Sequence, residues 1–143
     1  MARIDFYILP DTTLEARLQF ACKLAETIHR KGYRLHLHCE DKALAEQADE
    51  ALWQFRDDAY LPHALEDSEL ADSVPITLGW QQLPVPKEET ALLNLHPDIP
   101  DGIEHFARIA EIINQHQHVL VAKRACWQRY KALGHEVVPH KLG

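Results

Sequence analysis

RIDFYIL (residues 3–9), LEARLQFACKLAETIHRK (14–31), RLHLHC (34–39) and KALAEQADEALWQF (42–55) follow one another with little chain between them, and their order decides the fold. The first is short, aromatic and β-branched, and Pro10 stops it, which reads as a strand. Thr12 or Thr13 then caps a helix in which Leu14, Leu18, Ala21, Cys22, Ala25 and Ile28 recur at steps of three and four. Gly32 stands just past its end, where a left-handed cap favours glycine. The third stretch alternates, as a strand does. Glu40 and Asp41 suit the start of a second helix, with Leu44, Ala48, Ala51 and Leu52 on one face. Strand, helix, strand, helix predicts a mainly parallel sheet with right-handed crossovers and helices flanking it, an α/β fold of three layers.

Beyond Phe55 the texture changes. Residues 57–75, DDAYLPHALEDSELADSVP, are acidic and turn-rich and read as an ordered loop held by Tyr60, Leu61 and Leu65. PITLGW (75–80) and TALLNL (90–95) read as two more strands, separated by Pro84 and Pro86. FARIAEII (106–113) fits a helix or a strand; a strand from Arg108 to Ile113, entered through a helical turn at 102–105, is the reading taken. Residues 117–133 form a last helix, closed by Gly134, and HEVVPHKLG ends the chain in a short extended segment. No repeat, heptad or low-complexity tract interrupts a single domain over 1–143.

The 143 residues are 46% hydrophobic, enough to bury one core. No run approaches the roughly 18 apolar residues of a membrane span. Asp5 interrupts the first apolar run and no small-residue cleavage site follows, so no signal peptide is read. The three cysteines are odd in number and far apart, which fits neither a disulfide framework nor a CxxC zinc site. A reduced, cytoplasmic protein is the expectation. The net charge of −7 is uneven: residues 115–143 hold five bases and one acid, a balance of +4, leaving −11 for the rest. An acidic body repels duplex DNA, so no strong direct nucleic-acid binding is expected. The basic end suits a small anionic ligand, or is merely the favourable end of a C-terminal helix.

Catalytic signatures are missing. The turn after the first strand, Pro10-Asp11-Thr12-Thr13, has no glycine with which to let backbone N–H groups approach a phosphate, and neither GxGxxG nor GxxxxGK[ST] occurs. A Rossmann-like scaffold without that cradle licenses no cofactor. His36 and His38 share one strand face, with Cys39 on the other, and supply at most half a metal site; His105, His116 and His118 make a weaker set. Ser68 and Ser73 lie in the acidic loop without a nucleophile elbow. Cys22 falls on an apolar helix face. Cys126 sits near Arg124 and Arg129, where a thiol's pKa can fall, yet no base is arranged beside it. No catalytic residue, metal or cofactor is assigned.

Two contact surfaces remain. Trp53, at the end of the second helix and the edge of its apolar stripe, precedes Tyr60-Leu61-Pro62-His63; these residues either cover a satellite core or meet a partner. In the last helix Lys123, Arg124, Trp127, Arg129, Tyr130 and Lys131 fall within nine residues, with Lys123, Trp127 and Tyr130 at steps of four and three on one face. Cations around aromatic rings can hold a peptide carboxylate and wall a pocket for an apolar last side chain, or stack single-stranded bases. The acidic body favours a short ligand.

The order FYIL (6–9), DEALW (49–53), YLPH (60–63), PITLGW (75–80), LLNL (92–95), AEII (110–113) and Lys123 followed after six residues by YKALG (130–134) resembles the chi subunit of bacterial DNA polymerase III over essentially the full length. The resemblance implies a Rossmann-like α/β domain with no catalytic activity, an accessory subunit of the clamp-loader assembly. It implies two partners. The psi subunit would bind an apolar surface at Trp53 and Tyr60, with Leu61 and Pro62 beside them. The acidic C-terminal tail of single-stranded DNA-binding protein, ending in Pro-Phe, would bind Lys123, Tyr130 and Lys131. A further basic position of the family pocket falls on Trp127 here; either Arg124 or Arg129 substitutes from a neighbouring turn, or the tail sits differently. Against this adaptor stand a small nucleotide- or phosphate-binding enzyme on the same scaffold, and a metal-dependent enzyme built on the histidines.

Overall fold

The computed structural model describes residues 2–55 and 61–142. Its elements run β1 (Arg3–Ile8), α1 (Leu14–Arg30), β2 (Arg34–His38), α2 (Lys42–Gln54), β3 (His63–Leu65), β4 (Ile76–Gly79), β5 (Thr90–Asn94), β6 (Arg108–Ile113), α3 (Gln117–Ala132) and β7 (Glu136–Lys141), with single 3₁₀ turns at Ala71–Ser73 and Ile103–His105. Thr13 caps α1, its Oγ1 accepting the Ala16 N–H at 3.1 Å, and Asp41 caps α2 by accepting from the Leu44 N–H at 2.8 Å. Gly32 and Gly134 follow α1 and α3 at φ +87° and +86°, the left-handed conformation that ends a helix at least cost to glycine.

The seven strands form one sheet in the order β3-β4-β2-β5-β6-β1-β7, with every neighbouring pair parallel. Connection handedness fixes the layers. The chain passes from β1 to β2 and on to β3 in one direction along the sheet, so α1 and α2 share a face. It passes from β6 to β7 in the other direction, so α3 covers the opposite face. The core is split accordingly. Cys22, Ala25, Leu37, Ala48 and Leu93 pack beneath α1 and α2, while Phe6, Leu92, Phe106, Ile109 and Tyr130 pack beneath α3. This is the α/β three-layer architecture the alternation predicts.

Two segments differ from the expectation. Residues 63–65, read as loop, form an edge strand aligned with Ile76, Thr77 and Leu78 of β4. The last segment is a complete six-residue strand whose register runs from Arg3↔Glu136 to Ile8↔Lys141. Pro139 lies within it; β7 is an edge strand, where a missing N–H faces no neighbour.

Candidate functional site

Helix α3 is where the structure departs most from expectation. Lys123, Trp127 and Tyr130 do share a side of the helix, but it is largely the side that faces the sheet: Lys123 is 1% exposed and Tyr130 fully buried. The cause is Glu111. It lies in the middle of β6, between buried neighbours, and points beneath α3 with no exposure at all. A bare carboxylate there would be prohibitive, so the covering helix and the next strand supply donors. Lys123 Nζ lies 2.6 Å from Glu111 Oε1. Tyr130 donates its hydroxyl to Oε2 at 2.6 Å, and Asn94 Nδ2 donates to the same oxygen at 2.9 Å. Lys123 Nζ also donates to the His96 carbonyl. Burial, reinforced by the Glu111 charge, pushes the Tyr130 hydroxyl far up. Lys123 and Tyr130 are therefore interior residues, a correction to their reading as surface cation and surface ring.

What remains outside is a narrower stripe. Arg124, Arg129 and Lys131 are exposed. Trp127 is half-buried, its ring 4.8 Å from that of Phe6, and Lys131 Nζ stands over the indole at 5.9 Å from its centre. Arg124 precedes Trp127 by three residues and Lys131 follows it by four, so all three fall on one side of the helix. Arg129 is rotated about 200° from Trp127 and belongs to the other side. Helical spacing therefore places Arg124, and not Arg129, beside Trp127.

The second surface is also thinned. Trp53 is 55% exposed and rests on the ring of His63 at 4.5 Å. His63 is itself buried, its Nδ1 2.6 Å from the Leu61 carbonyl and its Nε2 3.2 Å from the Asp49 carbonyl. Leu61 is 5% exposed and belongs to the core, which corrects its reading as a contact residue; Pro62 is half-exposed. Tyr60 lies outside the described residues. Trp53 thus presents a face of indole held from behind by an imidazole.

A groove of about 870 Å³ opens at the carboxyl ends of β2, β5 and β6, where open α/β sheets hold their ligands. Leu14, Arg17 and Leu18 of α1, Leu44 of α2, and Val119 and Lys123 of α3 line it, with Glu40 among the carboxylates at its wall. None of the three glycines with positive φ among the described residues lies in the turn after β1. Arg17 was not singled out in the sequence. It lies three residues after Leu14 and four before Ala21, inside the apolar stripe, and a cation in such a stripe is the signal that would have found it.

The titratable groups elsewhere point to packing. Burial pushes the Cys22 thiol up to about 11 and Cys39 up to about 12, and raises Cys126 as well; all three are buried and free. His36 and His38 are held down to about 4 by burial, and so are neutral. Among the described residues no group of three metal-ligating side chains is gathered, and no helix is long and apolar enough to cross a membrane.

A family model described as "DNA polymerase III chi subunit, HolC" matches residues 1–138. The chain belongs to the DNA polymerase III chi subunit family. It is 36% identical over 144 residues to a protein of Pseudomonas aeruginosa named DNA polymerase III subunit chi, covering 99% of this chain and 98% of that one. Proteins of the same name from Haemophilus influenzae and Escherichia coli K12 are 30% and 29% identical, over 90% and 92% of this chain and 88% and 90% of theirs. Membership of the chi family makes this a DNA-replication protein of the polymerase III type. Among solved structures, T4 UvsW is similar at a TM-score of 0.67 and 9% identity, over 99% of this chain and 41% of that one. At that identity only the fold is shared, and the chi family alone carries the functional reading.

Proposed function

We propose that the chain is a non-catalytic adaptor of the polymerase III clamp-loader assembly, joining the psi subunit to the acidic C-terminal tail of single-stranded DNA-binding protein. The observation that carries it is the exposed stripe Arg124–Trp127–Lys131, an indole with an ammonium over it on an otherwise acidic chain of the chi family. Two cations flanking a ring suit a tail that is acidic along its length and apolar at its end. The test is titration of a fluorescent acidic peptide ending in Pro-Phe against wild type, Lys131→Ala and Trp127→Ala. Each variant is expected to raise Kd about tenfold or more, and salt is expected to weaken wild-type binding. Unchanged affinity in both variants removes the stripe from the interface. Lys123→Ala is a poor probe, because that ammonium neutralises an interior carboxylate.

The psi subunit is assigned to the Trp53 face, with Pro62 beside it and Tyr60 in the adjoining segment. An indole half in solvent, backed by a buried histidine, has the rigidity and area of an interface anchor. Trp53→Ala is expected to abolish co-purification with psi while circular dichroism and melting temperature stay close to wild type. Retention of psi by this variant would leave Trp53 only a packing role over His63.

A further inference from the structure

Arg17 is a buried cation with no ion-pair partner among the described residues. Arg17 is 9% exposed, and its Nε donates to the Ile112 carbonyl at 3.0 Å where β6 ends. Its Nη2 has no hydrogen-bond partner, and no ion pair to Arg17 exists among the described residues. The nearby interior carboxylate cannot serve it. Glu111 already holds Lys123 on one oxygen, and Tyr130 with Asn94 on the other. Glu40, also at the wall of the groove, acts on Arg17 only at a distance and forms no ion pair with it, so the guanidinium keeps an unbonded nitrogen there.

The start of α3 reaches the same groove through His116, His118 and Val119. His116 occupies the cap position and makes no side-chain cap bond, and the first turn contains no acid. The N–H groups of its first turn therefore have no side-chain acceptor from the cap, at the positive end of the helix. The Nδ1 of His116 is buried and also lacks a partner. A guanidinium with one unbonded nitrogen, a helix start without a side-chain cap and an unpartnered imidazole nitrogen belong to residues that line the same groove.

We propose that this end of the groove is an oxyanion subsite, in which one phosphate or carboxylate group takes its hydrogen bonds from the Arg17 guanidinium and the first-turn N–H groups of α3. The oxygens of such a group match the guanidinium fork, and the buried cation gains a bonded anion for its unpartnered nitrogen. Beyond it the groove mixes Leu14, Leu18 and Leu44 with the carboxylates of Glu15, Glu40 and Glu50, so anion binding is confined to this end. The subsite is separate from the Arg124–Trp127–Lys131 stripe: residues 118 and 131 are about 20 Å apart along the helix. It does not depend on that stripe's role.

Two ligands share this chemistry, a free inorganic phosphate and the terminal carboxylate of a peptide, and the test separates them. Amide chemical shifts of the full chain are followed while inorganic phosphate, a short acidic peptide with a free C-terminus, or the same peptide amidated is added, in wild type, Arg17→Gln and Gln117→Pro. Proline is tolerated at the first helical position and deletes one of the donors without breaking the helix. Saturable shifts at residues 118–120 with phosphate, or with the free-acid peptide but not its amide, support the subsite and name its source. Kd for that ligand should rise at least tenfold in Arg17→Gln and severalfold in Gln117→Pro. No saturable shift there with either ligand overturns the proposal, as does a shift whose Kd is unchanged in both variants. Peptide affinity lost in Lys131→Ala but kept in Arg17→Gln would uphold the surface stripe and sink the subsite, so the two readings fail separately.

Discussion

Glu111→Ala is expected to cost about 3–5 kcal/mol of folding stability, and Lys123→Ala a similar amount, while the double variant Glu111→Gln with Lys123→Met recovers most of the loss. The asymmetry follows from burial. Glu111 has no exposure and Lys123 only 1%, so removing either leaves its partner as a lone charge beneath α3. Glu111→Ala also strips the acceptor from Tyr130 and Asn94, two donors sealed from water. In the double variant neither member of the pair is left as a lone ion, the glutamine oxygen still accepts from Tyr130, and the methionine fills the lysine's channel. Urea unfolding of the four proteins measures it. For a domain of 143 residues with marginal stability, 3–5 kcal/mol is a large share of the whole. A Lys123→Ala protein within 1 kcal/mol of wild type would show that the Lys123–Glu111 pair does not organise the α3 face. The same result governs how binding data are read. Tail affinity lost in Lys123→Ala reports a disturbed α3 unless it is normalised to the folded fraction.

Glu111 also explains what the sequence could and could not reveal. Strand, helix, strand, helix was legible in residues 3–55 because each segment carries its own period and its own stop. The three-residue β3 was not, since His63-Ala64-Leu65 is too short for a period and sits among acids and turn formers. β7 was seen only as an extended tail because Pro139 breaks the pattern of an interior strand; its edge position, which makes the proline harmless, is a tertiary fact. The helical spacing of Lys123, Trp127 and Tyr130 was read correctly and their exposure was not. Charge and aromaticity alone suggest a solvent face. The corrective sign was in AEII, a carboxylate inside a run buried on both sides, which obliges the helix above it to turn a cation inward. Arg17 repeats the lesson on α1: a base in the apolar stripe marks a polar interior wall rather than a break in the stripe.

Acid is expected to unfold the protein from a second interior cluster. His36 is 2% exposed, with Nδ1 2.7 Å from Thr77 Oγ1 and Nε2 unpartnered. Burial, and after it the neighbouring His38, holds its pKa down to about 4; burial, then His96 and Lys123, does the same for His38. Glu66, the carboxylate that approaches His36 across Gly79, is engaged by the Trp80 and Gln81 N–H groups. Both histidines lie below the ordinary value of 6.5, so between pH 6.5 and 4 the unfolded chain binds protons that the folded one refuses. Stability is therefore complete above pH 6.5 and lost as pH falls towards 4. For His36 the full swing is on the order of 3 kcal/mol, and His38 adds to the same window. Urea unfolding at pH 7, 5.5 and 4.5 is expected to show the loss, and His36→Gln to lower the slope between pH 6.5 and 4.5 by about one proton's worth. The variant starts less stable at pH 7, so the decisive quantity is the slope and not the midpoint. If His36→Gln keeps the wild-type slope, the acid sensitivity belongs to other groups, and the unpartnered Nε2 of His36 is not what burial keeps neutral. The outcome also bears on the groove. His38 stacks on His96 at 5.5 Å, and the His96 carbonyl receives Lys123, so protonating His38 adds positive charge near the Lys123–Glu111 pair. In acid, α3 and the wall it shares with Arg17 are expected to loosen before β1 and β7 part, with amide exchange in residues 117–123 rising first.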